Sequence, residues 1–305
     1  ILMPNFNGVW SLTTQLQYNT DWPSPPSIGL FGGGVTGGNV IDRILIATAG
    51  NSTDFGDLTV SRAQLSALGS ETRGVFVGGG GNVMDFVTIS SNGNASDFGD
   101  LSAALDDTGS TSDKTRGVIF GGFQSGRVNE IQYITIASTG NATDFGDTLE
   151  TLSETAASAS PTRAVAGGGA GSSAQEDVIQ YVTIQTTGNS TDFGNLTLAR
   201  RTAGSCSSST RALFGGGWTG SALSNVIDYI TIASTGNASD FGDLATDMYQ
   251  LGACSSTVRG VFGGGDTNAM ESVTIASTGN AADFGDLTRS TRFLGVCSNA
   301  HGGLQ

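Results

Sequence analysis

Acidic side chains are the first candidates for chemistry in this chain. Aspartate recurs at Asp54, Asp57, Asp97, Asp100, Asp144, Asp147, Asp192, Asp240, Asp243, Asp283 and Asp286. Each sits in the phrase Gly-Asn, two small residues, Asp-Phe-Gly-Asp, whose fourth copy ends in Asn195. Arginines recur in register with it, at Arg73, Arg116, Arg163, Arg211 and Arg259. The expectation is that the aspartate turns and these arginines share one end of the structure and form ion pairs. Calcium held by carboxylates and turn carbonyls is the alternative, although the spacing matches no standard calcium loop. A carboxylate pair could also hydrolyse a glycoside, but an active site breaks symmetry and these acids keep it. Asp-Phe-Gly holds magnesium in protein kinases; six tandem copies without a catalytic-loop motif or a strand lysine exclude that chemistry.

Other reactive groups are few. Cys206, Cys254 and Cys297 are an odd set without paired spacing, which argues against a disulfide framework. His301 is the only histidine, which argues against zinc and leaves a Ser-His-Asp arrangement unsupported. Counted five residues back from the repeated arginine, Cys206 and Cys254 align with Ser158 and Thr111, so small buried side chains are expected there. Asn51, Asn94, Asn141, Asn189 and Asn237 read as glycosylation sequons, with Asn195 a further match outside the Gly-Asn series. Turn chemistry accounts for the series without glycans, because Gly-Asn tolerates the positive φ of a two-residue hairpin. No metal or cofactor is expected.

Charge narrows the partners. The net charge is −14 and Lys114 is the only lysine. Binding to duplex nucleic acid needs clustered Lys and Arg, so nucleic acid is an improbable partner, and anionic membrane surfaces are disfavoured too. No apolar run reaches the ~18 residues of a spanning helix. A start at Ile1 rather than Met fits a processed product or a fragment.

The elements that position these residues follow from the repeat. Its phenylalanines, Phe55, Phe98, Phe145, Phe193, Phe241 and Phe284, are spaced by 43, 47, 48, 48 and 43 residues. An architectural role between neighbouring units is expected for them. A strand such as Val226–Ala233 precedes each phrase, rich in Val, Ile and Thr and apolar on both faces, as in stacked sheets. The Thr-Arg phrase opens a second apolar strand that ends in a glycine run, at Gly78, Gly121, Gly167, Gly215 and Gly263. With a small-residue strand such as Gly252–Ser255, each unit has four strands. Four antiparallel strands per ~45 residues make a propeller blade. The fold class expected is all-β: a six-bladed β-propeller over residues 28–305, after an N-terminal leader, 1–27, containing Trp10, Leu12 and Trp22. The chain enters at a second strand near Ile28 and leaves after a first-strand segment, Thr291–Ser298, so pairing of the two ends would close the ring.

The order Arg211, Phe214-Gly215-Gly216, Tyr229, Phe241 resembles kelch repeats, as in the galactose-oxidase central domain, and the fold is expected to be kelch-like. Phe replaces the usual late Trp, and the Tyr-to-Phe spacing is longer. The wording of Ile232–Asp243 and the leader Gly8-Val9-Trp10-Ser11-Leu12 are similar to repeat proteins of tailed phages, marine and cyanobacterial ones especially. That resemblance implies a non-enzymatic virion appendage, such as a tail or head fibre, at the virion surface or extracellular. Its partners would be other virion subunits through residues 1–27, a host-surface glycan or receptor, and further copies of itself. A structural surface or filament protein and a secreted glycan-active enzyme are the alternatives.

Binding specificity on a repeat scaffold is expected where the repeat breaks, in the loops after the glycine runs. These are Val35–Gly38, Phe123–Arg127, Ala170–Ser173, Trp218–Ser221 and Asp266–Asn268, all on one rim. Phe123 and Trp218 are the candidates for stacking on a sugar, with Gln124, Arg127, Thr219 and Asp266 as polar contacts.

Overall fold

Among the described residues, runs rich in Val, Ile and Thr, punctuated by Gly-rich turns, form 24 short strands and almost nothing else. The computed structural model describes residues 25–305 apart from 173. Trp10, Leu12, Trp22 and most of the leader lie outside the described residues. The strands form six four-stranded antiparallel sheets, arranged as a six-bladed β-propeller.

Blade 2 is Ser66–Gly69, Arg73–Val77, Gly81–Thr88 and Ser96–Leu105, counted from the central shaft outward. Blade 3 is Gly109–Ser112, Arg116–Phe120, Val128–Thr135 and Thr143–Leu152. Blade 4 is Ala156–Ala159, Arg163–Ala170, Gln175–Thr183 and Thr191–Asn195. Blade 5 is Gly204–Ser207, Arg211–Gly215, Val226–Thr231 and Ser239–Asp243. Blade 6 is Leu251–Ser255, Arg259–Gly264, Thr267–Thr274 and Ala282–Thr291.

Blade 1 is the closing blade. Its inner strand, Gly295–Ser298, comes from the end of the chain and pairs with Ile28–Gly32, Gly32 opposite Gly295 and Gly29 opposite Ser298. Val40–Leu45 and Thr53–Asp57 complete it. The expected join between the two ends is therefore present, and every blade has its inner strand.

The core is split among six seams between blades. At the seam of blades 5 and 6, Cys206, Leu213, Ile227 and Phe241 pack against Met248, Phe262 and Val273. Glycine at the end of the second strand makes room for the neighbour: a Cβ on Gly215 would sit 2.7 Å from the Phe262 ring.

The repeated phrase is a staple across each seam. The Gly236 N–H donates to Phe193 O (2.7 Å), the Asn195 N–H donates to Asn237 Oδ1 (3.1 Å), and the Ala238 N–H donates to Asn195 O (2.8 Å). The same pattern recurs around the ring, ending with Asp286 N–H on Asn51 Oδ1 (3.0 Å). Gly-Asn is therefore not a two-residue hairpin turn: seven residues, 232–238, separate Val226–Thr231 from Ser239–Asp243, and none of the repeated asparagines has positive φ. It is the tip of a longer loop that reaches the preceding blade. The six repeat phenylalanines lie buried at the base of these staples, and Tyr229 meets Phe241 edge-on at 6.0 Å.

Candidate functional site

An antiparallel meander puts alternate turns on opposite faces of the disc. The turns between strands one and two and between strands three and four share one face. The loops between strands two and three share the other with the blade-to-blade connections. The two faces have different chemistry.

The first face is stoppered. The 3₁₀ turn Gly302–Leu304 sits in the shaft, all three residues buried. Gly303 is packed against Ser112 O, so no side chain would fit there. His301 anchors the turn: its Nε2–H donates to Gly69 O (3.0 Å), and its Nδ1 accepts from the Gly303 N–H (3.2 Å). Burial pushes the imidazole below its ordinary pKa, consistent with a neutral ring that donates from one nitrogen and accepts at the other. The chain enters on this same face, where the Ile28 N–H donates to Asn299 Oδ1 (2.8 Å) and Asn299 Nδ2 donates to Pro26 O (3.1 Å).

The repeated arginines also face this side, but they do not pair with the repeated aspartates. Arg73, Arg116, Arg163, Arg211 and Arg259 lie over Phe86, Tyr133, Tyr181, Tyr229 and Phe284, 4.3 to 5.8 Å from the ring centroids. Each Nη1 donates to a carbonyl of the next blade: Ile136, Ile184, Ile232, Ile275 and Ile46. The expectation of an Asp–Arg ring is corrected. A planar guanidinium satisfies an aromatic face and a carbonyl together, while the first Asp of each phrase is exposed to water. Among the described residues no group of three or more His, Cys, Asp or Glu could hold a metal ion. Cys206, Cys254 and Cys297 are buried and free, and burial pushes the Cys206 and Cys297 thiols up to about 12. They are packing groups rather than nucleophiles.

The second face is open. Six residues ring the mouth of the shaft: Gln64, Asp107, Glu154, Thr202, Gln250 and Phe293, with φ of 61°, 54°, 59°, 57°, 57° and 60°. Left-handed backbone costs ~1–2 kcal/mol per non-glycine residue. A closed ring of hydrogen bonds offsets it: each N–H donates to the carbonyl of the equivalent residue one blade back, from Gln64 on Phe293 (3.1 Å) round to Phe293 on Gln250 (2.8 Å). The backbone is sixfold here and the side chains are not. Beneath the ring lies a cavity of about 120 Å³, and below that a smaller space reaches to His301. The shaft is a blind well.

Asp107 and Glu154 bring carboxylates to the mouth of the well. Burial, with the neighbouring Glu154 carboxylate, pushes Asp107 up to about 7, although Gln64 Nε2 donates to its Oδ2 (2.8 Å). Arg201 Nη1 holds Glu154 Oε1 at 2.9 Å. None of these residues was singled out from sequence. They lie four positions before Leu68, Thr111, Ser158, Cys206, Cys254 and Cys297, so comparing repeats at that offset would have exposed the break in symmetry.

The rim candidates fall into two groups. Trp218 lines a groove of about 380 Å³ beside the well, with Glu154, Arg201, Thr202, Leu223, Tyr249 and Gln250. Asp266 on blade 6 sits next to that groove, in contact with the Tyr249 hydroxyl (3.4 Å) and paired with Arg292. Thr219 is occupied within its own loop, its hydroxyl donating to Ala222 O (3.0 Å) and accepting from the Ala222 N–H (3.1 Å). Phe123, Gln124 and Arg127 lie on blade 3, with blade 4 between them and Trp218. Phe123 is 39% exposed, its backbone bonded to Asp106 in both directions. The structure thus joins Trp218 and Asp266 through Tyr249, and sets Phe123 apart.

No model of a known protein family matches the chain, and no curated protein matches it significantly.

Proposed function

We propose that the propeller is the non-enzymatic host-recognition module of a virion appendage, a tail or head fibre, and binds a surface glycan through the loops of its open face. One observation carries this reading: the molecule is two-sided. Chain entrance, stopper and repeated tethers lie on one face, and the residues that depart from the repeat surround a blind well on the other. A module held by its leader through the first face would present the second outward. The phage-like wording of the repeat supports the same assignment, and so does an acidic surface unsuited to nucleic acid.

The test is a cryo-EM map of the assembled particle. Projection of the loops around Phe123 and Trp218 away from the particle is the expected result. Burial of those loops against other subunits would replace recognition with the second role considered from sequence, a structural filament protein.

A further reading, glycan hydrolysis, is favoured by the two carboxylates at the well, one of them raised to about 7 as a general acid would be. It ranks second because the departures from the repeat spread over the whole face rather than converging on Asp107 and Glu154. Reducing ends released from a bound glycan by the wild-type protein, but not by Asp107→Asn, would reverse that order.

A further inference from the structure

We infer that the groove between Trp218 and Tyr249 is a subsite for the terminal neutral pyranose of a glycan. This rests on the glycan-binding reading above and gives it an address and a sugar class.

The groove is built before any ligand arrives. Trp218 and Arg201 exchange backbone hydrogen bonds (2.9 and 3.1 Å), and Trp218 also bridges to Leu223, so the indole sits on a closed loop. Glu154 and Gln250 belong to the ring of left-handed residues, whose positions are set by the blades. The Arg201–Glu154 pair (2.9 Å) restrains those two side chains as well, so they lose less freedom on binding.

The lining matches the two kinds of surface a pyranose presents. One is an apolar C–H face, which packs on aromatic rings, and Trp218 and Tyr249 are both half-buried rather than hidden. The other is a rim of hydroxyls, each able to donate and accept. Gln250 lines the groove, and its side-chain amide carries both a donor and an acceptor for such hydroxyls. The Arg201–Glu154 pair sets donors and an acceptor side by side, suited to neighbouring hydroxyls.

Charge decides between sugar classes. Both cations near the groove already have a carboxylate, Arg201 with Glu154 and Arg292 with Asp266. A carboxylated sugar such as sialic or uronic acid would meet no free positive charge, in a protein of net charge −14. A neutral pyranose meets no such penalty.

The experiment is a glycan array carrying neutral and acidic termini, followed by titration of the best binder. Wild type is compared with Trp218→Ala, Trp218→Phe, Gln250→Ala and Phe123→Ala, each checked for an unchanged melting profile. Expected are binding to neutral termini, at least tenfold weaker binding in Trp218→Ala, retention in Trp218→Phe, a severalfold loss in Gln250→Ala, and no change in Phe123→Ala. Binding that survives Trp218→Ala but is lost in Phe123→Ala overturns the subsite and leaves glycan recognition standing, on blade 3. Binding restricted to sialylated or uronic termini overturns the sugar class. A wild-type protein that binds no glycan on the array overturns both the subsite and the glycan-binding reading.

Discussion

A Cβ on Gly260 would lie 2.5 Å from the Sγ of Cys206, across the seam between blades 6 and 5. The relation recurs as Gly29 with Cys254, Gly74 with Cys297 and Gly117 with Leu68. In the two blades that carry alanine at this position, Ala164 and Ala212, the preceding inner strand carries Thr111 or Ser158 instead. At the Ala212 seam the larger residue on one side thus meets a smaller one, Ser158, on the other. Gly260→Ala should destabilise the protein by ~1–3 kcal/mol through overpacking. Adding Cys206→Ser should recover part of that loss. Denaturant unfolding of the two single variants and the double variant measures the coupling; strict additivity would show that the two residues do not share the seam.

Asn237 Oδ1 accepts a backbone N–H from the preceding blade. Asn237→Ala should cost ~0.5–1.5 kcal/mol, the net value of one such bond. Phe241→Ala, which empties a buried ring site in the same blade, should cost ~3–5 kcal/mol. Urea midpoints for the two variants check the order; a larger loss from the asparagine would mean that the staples rather than the seams hold the ring.

Arg200 and Asp228 are buried completely and paired at 2.9 Å. Arg200 also donates to Phe214 O and Val226 O, so its removal strands several acceptors. Arg200→Ala should destabilise by ~3–5 kcal/mol. Asp228→Asn keeps an acceptor but leaves the buried guanidinium without its counter-charge, and should cost a comparable amount. Thermal melts at neutral pH check both; a negligible loss in either variant would show that the pair does not hold the blade.

Asp107 carries a pH signature. Its carboxyl titrates at about 7 in the folded protein against an ordinary value of 3.8. Between those values the folded state holds a proton that the unfolded state has lost, so this group makes stability fall as pH rises from about 4 to 7. Asp107→Asn removes the effect and still accepts from Gln64. The variant should exceed wild type by up to ~4 kcal/mol at pH 8, with the difference vanishing near pH 4. Melting temperatures across that range would refute the assignment if the variant were no more stable at pH 8.

Blade number, strand order and closure were legible in the sequence because they rest on periodicity: Phe241 recurs every 43 to 48 residues, and Cys297 repeats the setting of Cys206. The partners of Arg211 were not legible. Its acceptor is a main-chain carbonyl, Ile275 O, which no side chain announces, whereas the aspartates that suggested an ion pair are conspicuous and face water. The buried pairs were hidden for a related reason. Asp228 stands in a strand with apolar neighbours on both faces, and its partner Arg200 lies 28 residues earlier, across a blade boundary. The mouth of the well escaped notice because Gln64, Asp107, Glu154, Thr202, Gln250 and Phe293 share a backbone conformation and no residue type.

That mouth has a consequence for how such a protein can change. Its closed circle of hydrogen bonds is made of main-chain amides alone, so any residue able to hold the left-handed backbone keeps the circle intact. Six side chains can therefore be exchanged one at a time while the architecture beneath them stays the same. The scaffold works like a combination lock with six dials: new settings around the well can be tried in sequence without the ring opening between one setting and the next.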